Sequence, residues 1–253
     1  MLRSRIIPCL LIQNYGLVKT VNFKYDKYIG DPLNAVRIFN EKKADEIIIL
    51  DINSTTKSIK PDLNFVKKLA SECRMPLCYG GGIKSLDQAQ SIFSLGVEKI
   101  ALSSSAIENP NLVKEISNSV GSQSVVVVLD IKKKIFNYEI YTHNGKKSTG
   151  LDPVSFCKII ENKGAGEIVI NSIDNDGKMN GYDLKLINKI KNNVNIPITA
   201  LGGCSGIDDI NDLVERFKII GCAAGSNFIY KGKLKGVLIN YLNSSEKDKI
   251  FNK

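Results

Sequence analysis

The second half of this chain repeats the first, and that repeat limits the possible folds more than any other feature. Met75-Pro-Leu-Cys-Tyr-Gly-Gly-Gly82 is matched by Ile196-Pro-Ile-Thr-Ala-Leu-Gly-Gly203, with Pro76, Gly81 and Gly82 shifted by 121 residues onto Pro197, Gly202 and Gly203. Ala44-Asp-Glu-Ile-Ile-Ile-Leu-Asp51 is matched by Ala165-Gly-Glu-Ile-Val-Ile-Asn-Ser172 at the same shift, and Ala101-Leu-Ser-Ser104 by Ala223-Ala-Gly-Ser226 at a shift of 122. A period this long exceeds any solenoid unit. It describes two fused copies of a half-domain, about 1–120 and 121–245.

β-Branched runs near 5–11, 46–52, 76–80, 98–103, 124–131, 167–172, 197–202 and 219–225 alternate with stretches of helical spacing such as Pro32 to Lys43 and Leu63 to Cys73. Asp152-Pro153 starts another helix, with an N-cap carboxylate and a first-turn proline. Eight strands joined by helices in two matching halves predict an α/β chain folded as one (β/α)8 TIM barrel over 1–253. A doubly wound open sheet would use the same alternation but leaves the repeat unexplained. The polar tail from Asn243 to Lys253 is expected to fray.

No apolar run is long enough to cross a bilayer, and the N-terminus enters a strand at Arg5 without a signal-like apolar stretch. A cytoplasmic protein with no membrane role is expected. The six cysteines form no Cys-x-x-Cys pair and read as reduced, buried thiols. No metal set or cofactor is called for. The net charge of +9 comes from lysines scattered over polar faces, without a dense basic-aromatic segment, which argues against nucleic acid. Lys132-Lys-Lys134 reads as the exposed start of a loop, and His143, the only histidine, as a surface residue of a polar loop. A basic surface does suit an anionic, phosphorylated substrate.

In such a barrel the chemistry sits at the C-terminal ends of the strands. Gly80-Gly81-Gly82 follows the third strand and Ser103-Ser104-Ser105 the fourth. Glycines let backbone N–H groups approach an oxyanion, and serines add hydroxyl donors. The second half repeats the arrangement with Gly202-Gly203 and Gly225-Ser226, and Asp176-Gly177 adds a backbone donor after the sixth strand. Two anion sites on opposite sides of one mouth imply a long ligand with a phosphate at each end.

These residues, with Arg5-Ile-Ile-x-Cys-Leu10, Gly30-Asp-Pro32, Glu108-Asn-Pro110, Thr149-Gly150, Gly164-Ala-Gly-Glu167, Ser172-Ile-Asp174 and Gly181-Tyr-Asp183, make the chain resemble the cyclase subunit of imidazole glycerol phosphate synthase over essentially its whole length. The resemblance implies a glutaminase subunit docked at the N-terminal face of the barrel. Ammonia from that partner would pass through the barrel to a bis-phosphorylated ribulosyl aminoimidazole carboxamide nucleotide. Products would be imidazole glycerol phosphate and an aminoimidazole carboxamide ribotide. It implies an ammonia gate of alternating charge, with Arg5, Glu46, Lys99 and Glu167 at the matching positions. Opposite charges at one barrel end can satisfy each other where isolated buried charges would be costly. It also implies roles for Lys19 in a loop that closes over substrate, and for Ser172 beside the phosphates.

One departure stands out. The family's acid–base pair is two aspartates at the ends of the first and fifth strands. Asp130 matches one, and Leu11 stands at the other. Ser103, Ser104 and Asn171 replace a usual Asn, Thr and Thr, and Gln13 a usual Lys. Leucine cannot carry a proton, and one positioned acid or base contributes about 10²- to 10⁴-fold. The pattern resembles a diverged branch that works with its own glutaminase and an ATP-dependent sugar amidotransferase, converting an acetamido group into an acetamidino group for surface polysaccharide. A true histidine-pathway cyclase and a non-catalytic activator of the glutaminase are the competing readings.

Overall fold

A computed structural model describes residues 3–232 and 234–251, with only the backbone described at Tyr25. Eight parallel strands close on themselves: β1 (Arg5–Gln13), β2 (Ile47–Asp51), β3 (Leu77–Gly80), β4 (Lys99–Leu102), β5 (Val125–Lys133), β6 (Glu167–Ser172), β7 (Ile198–Leu201) and β8 (Gly221–Ala224). Each pairs with the next, and β8 pairs back to β1 through Arg5↔Gly221 and Ile7↔Ala223. That closure makes the protein a (β/α)8 TIM barrel and excludes the open sheet.

The two-residue period of a strand does most of the positioning. On β1, Ile6, Leu10 and Ile12 face outward into the layer under the helices, while Ile7 and Cys9 join the barrel interior. Arg5 and Leu11 are therefore the bottom and top of the same inward face. The same alternation on β5 turns Val126 and Val128 inward and puts Asp130 above them, and on β6 it aligns Glu167, Val169 and Asn171.

Helices α1 (Pro32–Glu41), α2 (Leu63–Glu72), α3 (Leu86–Phe93), α4 (Pro110–Val120), α5 (Pro153–Asn162), α6 (Leu184–Lys191), α7 (Ile207–Phe217) and α8 (Ser244–Phe251) cover the outside. Their starts follow capping chemistry. Asp152 accepts Ser155 N at 2.9 Å with Pro153 at the first turn, and Asp31 accepts Asn34 N at 2.8 Å before Pro32. Each such cap contributes about 1 kcal/mol.

Three expectations are corrected. The tail folds into α8, because Asn243 and Glu246 cap each other reciprocally at 2.8 and 3.0 Å, Ile250 is buried, and Lys247 pairs with Asp45 at 2.9 Å. Residues 252 and 253 of that tail lie outside the described residues. Lys132 and Lys133 end β5 rather than opening a loop, since Tyr138–Thr142 pairs antiparallel to them. His143 sits in the next turn, between Thr142 and its partner Lys147, which folds back over the barrel mouth; Asn144 Nδ2 donates to Ile52 O at 2.8 Å and ties it there. His143 consequently lines the mouth instead of open surface. Among the described residues no helix is long and apolar enough to cross a membrane.

Candidate functional site

A cavity of about 180 Å³ opens at the C-terminal end of the barrel. Around it stand Leu11, Lys19, Gly81, Gly82, Ser103, Ser104, Asp130, Asp176, Gly177, Gly202, Gly203, Gly225 and Ser226, so the structure brings these sequence-selected residues to one place. Ser172, at the end of β6, is buried beneath Gly202.

The glycines after β3 and β7 are required by close packing. A Cβ on Gly81 would lie 2.7 Å from Asp51 O, and one on Gly202 would lie 2.7 Å from Ser172 O, with φ of 131° and 95°. Only glycine tolerates both constraints. One strand later each half starts a short helical turn, Ser104–Glu108 and Ser226–Ile229, whose first N–H groups lack intrahelical partners. Ser103 Oγ is the one buried side-chain polar atom without a hydrogen-bond partner among the described residues. An unmet buried hydroxyl costs about 1–3 kcal/mol, which favours an incoming acceptor there.

The strands Gly16–Val21 and Lys24–Gly30 form a ribbon folded from β1 across the mouth. Its far end is tied to the β6 loop. Thr20 Oγ1 donates to Asp176 Oδ2 at 2.8 Å, Phe23 N to the same oxygen at 3.2 Å, and Asn22 N to Asp176 O at 3.0 Å. Asp176 thus holds the ribbon, a role the sequence reading missed. Lys19 is buried by this arrangement, and its Nζ lies 2.3 Å from where a Cβ on Gly225 would stand. The lysine ammonium therefore joins the Gly225-Ser226 cradle.

Leu11 and Asp130 top β1 and β5. Asp130 pairs in register with Asn171 and Tyr141, and Asn171 Nδ2 donates to Asp130 Oδ1 at 2.8 Å. Burial pushes the Asp130 carboxyl up to about 7, against the pull of the Asn171 hydrogen bond and with the Asp176 charge adding to the rise. Such a carboxyl changes charge near neutral pH. Leu11 pairs with Val18 and Leu50, both apolar. Asp51 also borders the mouth, but its Oδ1 accepts Asn53 N at 2.9 Å and Ser54 N at 3.3 Å, so it caps the loop after β2.

At the opposite end Arg5, Glu46, Lys99 and Glu167 meet. Arg5 reaches Glu46 and also Glu167 at 2.8 Å, and Lys99 reaches Glu46 at 2.8 Å and Glu167 at 3.0 Å. Each carboxylate touches both cations, giving a closed ring of two positive and two negative charges. Thr199 Oγ1 donates to Glu167. Burial alone would lower the Arg5 and Lys99 values, but the two glutamates outweigh it and hold both cations above their ordinary range. Burial alone would raise Glu167, yet Arg5 and Lys99 keep it below its ordinary value. Above the ring the interior is lined by Ile7, Cys9, Ile48, Cys78, Ala101, Val126, Val128, Val169 and Ala223, apolar or thiol throughout.

A closed parallel barrel with its ligand mouth above the strand ends and a neutral ionic ring at its foot has the architecture of (β/α)8 enzymes. Residues 5–235 match the family described as Histidine biosynthesis protein, and the chain belongs to that family. It is 54% identical over 251 residues to a Vibrio vulnificus protein provisionally named imidazole glycerol phosphate synthase subunit hisF3, covering 98% of this chain and 96% of that one. It is 45% identical over 249 residues to a similarly named hisF2 protein of Pseudomonas aeruginosa, covering 98% and 99%. Identity is 41% over 232 residues with the imidazole glycerol phosphate synthase subunit HisF of Lactococcus lactis subsp. cremoris, covering 91% and 90%.

Proposed function

We propose that this chain is the barrel subunit of a glutamine-dependent amidotransferase complex, one domain of two half-barrels, about 1–120 and 121–245. It receives ammonia from a glutaminase at its N-terminal face and supports acetamido-to-acetamidino modification of a sugar for surface polysaccharide. The Arg5–Glu46–Lys99–Glu167 ring serves as the gate. Parting one of its ion pairs opens the foot of the barrel, and the apolar interior above it favours neutral NH₃ over ammonium, since a bare charge there is costly. The Gly81-Gly82/Ser103-Ser104 and Gly202-Gly203/Gly225-Ser226 loops, with Ser172, Gly177 and Lys19, hold the phosphates of a ligand at the mouth. Asp176 keeps the covering ribbon in place. Asp130, whose carboxyl titrates near 7, handles a proton at the point where NH₃ emerges.

The observation that carries the sugar reading is the apolar corner at Leu11, with Val18 and Leu50 beside it. A cyclase needs a second proton-transfer group there. The alternative, a histidine-pathway cyclase, is favoured by the two anion cradles, Lys19 and Asp130, and by the activity in the relatives' names. Two assays separate the readings. The chain is expected to leave a histidine auxotroph lacking its own cyclase subunit unable to grow on minimal medium. Reconstituted with its glutaminase and [¹⁵N-amide]glutamine, it is expected to deliver label to an amidino-sugar product. Growth of the auxotroph would refute the sugar reading. Glutamine hydrolysis stimulated by the barrel without label transfer to any acceptor would instead indicate a non-catalytic activator.

A further inference from the structure

The end of the barrel that carries the mouth also carries the three most exposed large apolar side chains among the described residues: Ile135 at 88%, Phe136 at 97% and Leu234 at 98%. Ile135 and Phe136 form the tip where β5 turns into Tyr138–Thr142, closed by Lys134 N donating to Asn137 O at 2.7 Å. β5 runs past Asp130 at the rim, so this tip stands above the mouth. Leu234 sits at the turn of the Tyr230–Lys231/Gly236–Val237 hairpin beyond β8, and Lys27 Nζ lies 5.9 Å from the Tyr230 ring centroid, joining that hairpin to the covering ribbon. The two tips rise from β5 and β8 with the mouth between them.

Both tips are basic. Lys132, Lys133 and Lys134 flank the first and Lys231 and Lys235 the second, all exposed. Glu139 takes up Lys134 at 3.1 Å, and Asp174 accepts only the backbone N–H of Lys133, at 2.7 Å. Lys132 and Lys134 also lie over the Tyr141 ring.

We infer that the C-terminal face docks a second protein, distinct from the glutaminase, whose acidic surface carries apolar pockets for Ile135–Phe136 and Leu234. Resting on the ammonia-conducting reading above, that protein is the enzyme that consumes the ammonia. NH₃ released from an apolar conduit into open water is protonated and loses its nucleophilic lone pair, whereas an acceptor seated on the mouth excludes that water. Large apolar anchors ringed by charge are the usual core of such an interface, and the lysines would steer an acidic partner to it. An anionic lipid surface is the competing occupant of the same tips, and the vesicle arm of the test below separates it from an acidic protein.

The test is a photo-crosslinking residue, p-benzoylphenylalanine, placed at Phe136, at Leu234 and, as control, at Ile159 on the flank helix α5, in the cell that makes the complex. The expected result is one and the same acidic adduct from 136 and 234, none from 159, and loss of that adduct on the order of tenfold with Lys132→Glu/Lys133→Glu. The glutaminase should co-purify unchanged with that double variant. No adduct at 136, equal adducts at 159, a self-adduct, or avid pelleting of the complex with phosphatidylglycerol vesicles would overturn the inference. An acidic adduct partner with no nitrogen-acceptor activity would keep the docking face and refute the ammonia reading, so the two failures are separable.

Discussion

The tops of β1 and β5 stand in matching places in the two halves, yet one carries an alkyl group and the other a carboxyl. Leu11 is flanked in register by Val18 and Leu50, and Asp130 by Tyr141 and Asn171. The difference extends beyond the single substitution. At the β5 corner an amide holds the carboxylate at 2.8 Å, and at the β1 corner no hydrogen-bonding neighbour in register supports a charge. The β5 corner of the mouth thus presents a hydrogen-bonded carboxyl, and the β1 corner presents alkyl groups in register.

Removing the surviving carboxyl should break the comparison most sharply. Asp130→Asn is expected to lower product formation by the assembled complex by about 10²- to 10⁴-fold, read as kcat with glutamine as nitrogen source. The inflection near pH 7 in the wild-type profile should vanish with it. Stability should move the other way. The folded-state value near 7 lies above the ordinary aspartate value of about 3.9, so the folded protein holds an extra proton between them. Stability falls as pH rises through that window, and the loss is complete above it. Asp130→Asn should therefore raise Tm above pH 7 by about 2–4 °C per kcal/mol relieved and leave it unchanged below pH 4, measured by calorimetry.

At the foot of the barrel, Glu167→Gln would leave Arg5 and Lys99 sharing Glu46 alone. Breaking a buried ion-pair network costs roughly 3–5 kcal/mol, measurable as a lower denaturation midpoint. Glutamine-dependent transfer should fall while turnover with added ammonium salts is spared. Equal losses with both nitrogen sources would remove the ring from the ammonia path.

Asn171→Ala is a smaller probe that sharpens the contrast at the top. Its hydrogen bond pulls the Asp130 carboxyl down, so its loss should move the inflection to higher pH, with a change in kcat and little in KM. Ser103→Ala should matter least to the free protein, because its hydroxyl has no partner there. It should weaken inorganic phosphate binding by roughly 1 kcal/mol, about fivefold, in a calorimetric titration.

Most barrel strands were legible as short runs rich in β-branched residues, while Leu77–Gly80 and Gly221–Ala224, which hold none, were placed by the half-to-half repeat; the expected range 167–172 coincides with β6, and 5–11 falls two residues short of β1. The two ribbons over the mouth were not. Gly16–Val21 and Lys24–Gly30 mix lysine, tyrosine and threonine without a repeating apolar face, and the ribbon they form is tied down by a carboxylate in the loop after β6, more than 150 positions away. For the same reason Asp176 was read as a backbone donor and its hold on Thr20 and Phe23 went unseen. His143 looked like a solvent residue because nothing local announces the Asn144 tie to Ile52. The ring was foreshadowed by charges at strand starts, since a two-residue period carries Arg5 to the same inward face as Leu11. Its closed, doubly bridged geometry is a three-dimensional fact.

The most direct test is the rate of imidazole glycerol phosphate formation by the purified barrel at saturating ammonium, with the bis-phosphorylated ribulosyl nucleotide as substrate, for wild type against Leu11→Asp. The account predicts a wild-type rate at background and a gain of about 10²-fold or more in the variant. Brisk wild-type turnover, with no gain on restoring the carboxylate, would contradict it.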